Sequence, residues 1–236
     1  MHPVTTTESD STKRAPWAWK RAGAIACLAG LCLAAGCSSI LPEKEPPAKF
    51  YSLDYLPGAA PGAQAAPPAG AGNTAGAVIL ITAPRAAPGF DRSQMVYVRQ
   101  PHQIEYFAQN QWVESPPRML APLMQTALER SGAFRAVLQT PSSAPGEMRL
   151  STEIIRLQQE FFGSPSQVRF TLRARLIDDA TRKVIASREF EAVADAPSAN
   201  PYGGVQAANV AVNKVLVELA AFCAENARNV AGVAAK

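Results

Sequence analysis

The sequence predicts an α+β fold: a mixed, mostly antiparallel sheet with two helices packed on one face, preceded by a signal peptide and a flexible tether. Three observations lead there. Apolar residues from Val168 to Leu176 alternate with polar ones, the period of a half-buried strand, and Val184 to Val193 answers them across a turn. Two other segments carry apolar residues at three- and four-residue steps, the period of a helix. The first 36 residues differ in kind from the remaining 200.

That leader comes first in chain order. Met1 to Arg21 is polar and ends in Trp17-Ala18-Trp19-Lys20-Arg21; Ala22 to Leu33 is apolar and uncharged; Ala34-Ala35-Gly36 then precede Cys37. A basic start, a short apolar core and a small-residue exit read as a secretory signal peptide. The apolar run is shorter than the roughly 20 residues that span a bilayer. The polar lead is longer than a signal needs, which is compatible with a start downstream of Met1.

Leu33-Ala34-Ala35-Gly36-Cys37 resembles the bacterial lipobox, with Ala34 where Leu is commonest. Cys32 follows Leu31 rather than a small residue, and Cys27 has almost no apolar run before it, so Cys37 is the expected lipid-attachment site. Its thiol is nucleophilic enough to take a diacylglyceryl group. Two or more acyl chains anchor stably where one binds marginally, at about 0.8 kcal/mol per buried CH₂. Ser38 follows in place of the Asp that in many bacteria retains a lipoprotein at the inner membrane, so the expected address is the periplasmic leaflet of the outer membrane. Only Cys37 and Cys223 survive processing, so no intrachain disulfide is expected despite an oxidising compartment.

Residues 37–76 read as a lipidated tether. Ser38 to Lys49 carries Pro42, Pro46 and Pro47 among charges; Phe50-Tyr51-Ser52-Leu53-Asp54-Tyr55-Leu56 has the aromatic density of a short docking strand; Pro57 to Gly76 is an Ala/Gly/Pro linker without core-forming side chains. The expected domain is 77–236. It opens with a buried strand, Ala77 to Thr82, broken by Pro84 to Gly89. Met95–Arg99 and Gln103–Ala108 are further strands, Asn110-Gln111 is expected to turn the chain, and Trp112 to pack back. Pro116-Pro117 opens a helix, where a missing N–H costs nothing; Met119, Leu120, Leu123, Met124, Ala127 and Leu128 line one side up to Gly132.

Phe134–Gln139 is a short strand. In the next one, Met148, Leu150 and Ile154 share one parity and Ile155, Leu157 and Phe161 the other, which predicts a bulge between Ile154 and Ile155. The hairpin of Val168–Leu176 and Val184–Val193 has two registers that keep the apolar face intact. The preferred one sets Leu172 against Phe190, Leu176 against Ala186, Arg173 against Glu189 and Thr171 against Glu191; the other pairs Arg169 with Glu191 and leaves Arg175 beside Ile185. Val205, Ala208, Val212, Val215, Leu216, Leu219, Phe222 and Cys223 define a C-terminal amphipathic helix of about six turns.

Little in the chain carries chemistry. Net charge is +4, of which Lys13, Arg14, Lys20 and Arg21 against Glu8 and Asp10 place +2 in the leader, too little for a nucleic-acid face. His102 is the one histidine after the leader, in a predicted turn and without a Gly-x-Ser-x-Gly elbow. No His/Cys set has metal-ligand spacing, and no Gly-rich loop cradles phosphate. Asp178-Asp179 fits a solvated hairpin turn, and Cys223 a core position. The expectation is no enzyme, no metal and no cofactor. Arg169, Arg173 and Arg175 form a basic stripe, read either as a solvated face offset by Glu189 and Glu191 or as a docking face for an acidic partner or phospholipid headgroups. Tyr97, Tyr106, Phe107 and Trp112 suit a core, or an interface.

Cys37 with its Pro-bearing tether, then Phe50-Tyr51-Ser52-Leu53, resembles the ABC-type transport auxiliary lipoproteins, the PqiC-like family. Met95-Val96-Tyr97-Val98-Arg99, continuing through Ile104-Glu105-Tyr106-Phe107-Ala108 to Trp112 and Pro116, is similar to that family's most recognisable stretch; the helix 119–130 and the strand 150–157 also fit. The resemblance covers about residues 50–228 and brings no active-site residues. It implies a non-catalytic outer-membrane lipoprotein that self-associates and works with an MCE-type transporter moving phospholipid between two membranes. The alternatives are a structural or pilot lipoprotein for another envelope complex, and a periplasmic hydrolase centred on His102.

Overall fold

The computed structural model describes residues 46–55 and 76–234, with side chains through residue 228. Among these residues nine strands form one mixed sheet: β1 Lys49–Tyr51, β2 Val78–Ile81, β3 Arg85–Ala86, β4 Gln94–Val98, β5 Glu105–Trp112, β6 Ala136–Gln139, β7 Met148–Glu160, β8 Gln167–Asp178 and β9 Val184–Asp195. The two described helices are α1, Pro116–Arg130, and α2, Pro201–Ala234. The α+β architecture expected from the sequence is the one found.

β7 organises the sheet because its 13 residues are longer than any neighbour on one side. Along that edge three short strands line up in parallel: β2 beside Met148 to Leu150, β3 beside Glu153 and Ile154, β4 beside Gln158 to Glu160. β6 extends β2, while β5 and then β1 extend β4. On its other edge β7 pairs antiparallel with β8, and β8 with β9. The expected bulge is present: Ile154 faces Leu172 and Arg156 faces Thr171, leaving Ile155 as the extra residue. The hairpin takes the preferred register, Leu172 opposite Phe190, Arg173 opposite Glu189 and Thr171 opposite Glu191.

The even-numbered residues of β8, Val168 to Leu176, are buried beneath α2, whose Val212, Val215, Leu216 and Leu219 are fully or nearly fully excluded from solvent. α1 buries the six apolar residues its spacing marked, with Pro116 and Pro117 at its start. Past its end Gly132 has φ +64°, where a side chain would be strained. α2 is long and apolar enough to cross a bilayer, but 61% of that stretch is buried in the fold, as expected of a core helix.

Three local expectations need correction. Asn110 and Gln111 do not turn the chain: β5 runs through them to Trp112, because β1 docks alongside and supplies partners for their backbone. The Pro-rich break after β2 contains β3, two residues that fill the gap along β7 between β2 and β4. α2 begins at Pro201 and spans 34 residues, well beyond six turns.

Candidate functional site

Two features stand out among the described residues: the way residues 49–55 are built into the domain, and the sheet face opposite the helices.

Residues 49–55 form a strap. β1 pairs with β5, and the Tyr51 hydroxyl donates to Asn110 Oδ1 at 3.1 Å. The chain then crosses to α2, and Leu53 enters the core at 6% exposure. Two asparagines one helical turn apart hold the crossing. Asn209 Oδ1 accepts the Asp54 N–H at 2.6 Å, and its Nδ2 donates to the Ser52 carbonyl at 3.3 Å. Asn213 Nδ2 donates to the Asp54 carbonyl at 2.8 Å. Both asparagines are buried, so the strap's backbone satisfies them as they satisfy it. Sequence reasoning missed this pair; the available signal was Asn at i and i+4 on the apolar side of α2. Tyr55 ends the strap against Arg130, whose guanidinium lies 5.5 Å from the ring centre. The chain resumes where Arg135 N–H donates to the Ala77 carbonyl. Both described flanks of segment 56–75 thus sit by the C-terminal end of α1.

The outer sheet face carries the basic stripe. Arg85, Glu153, Arg173 and Glu189 stand side by side on β3, β7, β8 and β9, alternating in sign. Arg173 reaches both neighbours, Glu153 at 3.2 Å and Glu189 at 3.0 Å. Arg169 forks onto Glu160 at 2.9 and 3.2 Å and contacts Glu191 at 2.5 Å. Hydrogen bonding to Glu160, ahead of the counteracting burial, raises its already high pKa. Arg175 lies between Ser151 and Ser187, is exposed, and has no ion pair among the described residues. Two members of the stripe are therefore matched within the sheet and one is left with an uncommitted charge.

The other singled-out residues fall as follows. Asp178 closes the β8–β9 turn by accepting from Thr181 N–H at 2.6 Å and its hydroxyl at 2.8 Å, which lowers its pKa. Asp179 bridges Arg149 and Arg182. Among the described residues no group of His, Cys, Asp and Glu could hold a metal ion. His102 has φ +69° and lines an open groove of about 650 Å³ with Ile104, Arg156, Phe162 and Arg169. Cys223 is fully buried on α2, and desolvation pushes its thiol up to about 12. Trp112 is buried, Tyr97 and Phe107 pack at 4.4 Å between centroids, and Tyr106 stays 38% exposed beneath Arg92. Cys37 lies outside the described residues.

Comparison with known proteins places this arrangement. No curated protein sequence matches significantly. A solved Xanthomonas campestris protein of the DUF330 family superposes with a TM-score of 0.68 at 19% identity, over 78% of this chain and 99% of that one. A second, uncharacterized solved protein gives 0.54 at 10% identity, over 76% and 98%. These two likenesses concern the fold. The model of the ABC-type transport auxiliary lipoprotein component family matches residues 56–220, from the end of the strap through most of α2. With a match over most of its length, the chain belongs to the ABC-type transport auxiliary lipoprotein component family.

Proposed function

We propose that this chain is the outer-membrane, lipid-anchored accessory subunit of an MCE-type ABC system that moves lipid across the periplasm. Its part is to dock rather than catalyse. Acyl chains on Cys37 fix it to the periplasmic leaflet, residues 38–48 give it reach, and the domain holds the end of the transporter. Energy comes from a separate ATPase.

Family membership supports the accessory role. The observation that carries the mechanism is the strap. Leu53 in the core and Asn209 and Asn213 on the strap backbone tie the stretch nearest the anchor to the long core helix. An anchor joined in this way sets where the domain sits at the membrane. A partner surface is proposed on the outer sheet face around Arg175, with Arg169 and Arg173 alongside. Self-association is proposed as well.

Metabolic labelling with a palmitate analogue, followed by membrane fractionation, tests the anchor and the address. The wild type should label and band with outer membranes; Cys37→Ser should not label and should be soluble or unprocessed. Labelling that persists in Cys37→Ser refutes the attachment site. Wild-type protein found only in inner-membrane fractions refutes the address.

A further inference from the structure

We infer that the end of the sheet formed by loop 99–104 and the β7–β8 turn is a membrane-contact surface that rests on the anionic phospholipid layer holding the anchor. The inference rests on the Cys37 anchor proposed above.

Direction is the first argument. β1 runs parallel to β5, with Lys49 beside Asn110 and Tyr51 beside Trp112. The chain upstream of Lys49 therefore leaves along β5 toward its start at Glu105, and so toward loop 99–104. β4 and β7, parallel to each other, both finish at that end, where Phe161 N–H donates to the Val98 carbonyl at 2.9 Å. Eleven residues lie between Cys37 and Lys49. Extended, they span about 40 Å; as a flexible coil, about 20 Å. β1 thus enters the sheet from this end, and the length of chain between Cys37 and Lys49 is enough to keep this end at the lipid. For the opposite end, with the Asp178–Lys183 turn, to face the membrane, the tether would have to double back.

Surface chemistry is the second argument. Ile104 is 45% exposed and Phe162 55% exposed, and both line the open groove on the outer face. Arg156 lines the same groove and has no ion pair among the described residues. Arg99 lies over the Tyr97 ring at 5.1 Å and has no carboxylate partner among the described residues. The nearby carboxylates are engaged, Glu160 by Arg169 and Glu105 by the Tyr97 hydroxyl at 2.8 Å. Exposed apolar side chains flanked by uncommitted arginines match a headgroup layer, which takes apolar groups at its acyl boundary and guanidinium on its phosphates. At the far end Asp179 is held by Arg149 and Arg182 and Asp178 by Thr181, and Val184, 59% exposed, stands beside Lys183, so the direction of β1 is what separates the two ends.

The test uses the lipidated full chain in vesicles of phosphatidylethanolamine and phosphatidylglycerol, with a polarity-sensitive dye on Gln103→Cys or, as control, on Lys183→Cys. The label goes to the new thiol because Cys37 carries lipid and Cys223 is buried. Headgroup-level quenchers should quench the dye at position 103 and leave that at 183 bright. Arg156→Glu should weaken the position-103 contact at least fivefold, about one arginine's share, and phosphatidylethanolamine alone should weaken it too. Protein that floats with vesicles while the dye at 103 stays unquenched overturns this inference and spares the anchor. Quenching at 183 instead also overturns it. Failure to float overturns both. A dye at 103 that is shielded only on adding the transporter's periplasmic protein assigns the surface to that protein and overturns the lipid reading.

Discussion

Arg173 on β8 stands directly opposite Glu189 on β9, guanidinium to carboxylate at 3.0 Å, and its other amino group meets Glu153 on β7 at 3.2 Å. One arginine thus ties three strands across an otherwise solvated face. The side chains of Arg173 and Glu189 are 38% and 51% exposed, so water screens the attraction. Glu189→Ala should cost about 0.2–1 kcal/mol in urea denaturation, and less in high salt. A loss above about 2 kcal/mol would mean the pair is a main support of the sheet.

Arg169 is a different case, because the Glu160 side chain it grips is only 7% exposed. Arg169→Ala strands that carboxylate and should cost about 3 kcal/mol or more. Adding Glu160→Gln should recover part of the loss. Equal costs for Arg169→Ala and Glu189→Ala would show that burial does not separate the two pairs.

The strap should be the stability-limiting part of the anchor junction. Leu53→Ala should cost about 2–4 kcal/mol, and Asn209→Ala, which removes the side-chain partner of the Asp54 N–H and of the Ser52 carbonyl, about 1–2 kcal/mol. Hydrogen exchange at residues 49–55 should accelerate in both. Unchanged exchange in both would show that the strap is not held by these contacts.

Shortening segment 56–75 by half should leave the melting temperature nearly unchanged, since halving a loop alters its closure free energy by only about 0.6 kcal/mol. Its described flanks meet at the end of α1, so the strap should stay docked. A drop of several kcal/mol would show that the segment packs.

Burial raises the Cys223 thiol from 9.0 to about 12, so the folded chain keeps a proton that the unfolded chain releases above pH 9. The stability linked to this proton is whole below pH 9 and drains as pH rises toward 12. Cys223→Ala should therefore decline less steeply over that window, by an amount on the order of 4 kcal/mol at its end. A thiol reagent should find no reactive group in the native lipidated protein and one per chain after unfolding. Two per chain would mean that Cys37 is free.

The β7–β8–β9 meander was legible because period 2 leaves few choices: the parity change at Ile154/Ile155 located the bulge, and opposite charges selected the register. Six of the seven buried residues of α1, all but Pro116, followed from helical spacing in the same way. What escaped were features set by neighbours distant in sequence. Arg85-Ala86 is a strand only because β7 offers an open edge between β2 and β4. Asn110-Gln111 has turn-forming residues, yet β1 arrives to pair with it. Asn209 and Asn213 find their partners at Ser52 and Asp54, more than 150 positions away. The basic stripe was visible as composition, but its division into matched Arg169 and Arg173 and unmatched Arg175 depends on which carboxylates the sheet brings alongside.

The proposed docking of this lipoprotein onto an MCE-type transporter at the outer membrane can be tested by affinity capture of the tagged, lipidated wild-type protein after crosslinking in cells, with mass spectrometry of the bound proteins. An MCE-domain protein should appear in the wild-type capture, depleted when Cys37→Ser removes the anchor and reduced when Arg175→Glu reverses the uncommitted charge. Capture of a different envelope complex, with no MCE-domain protein bound to the wild type, would contradict it.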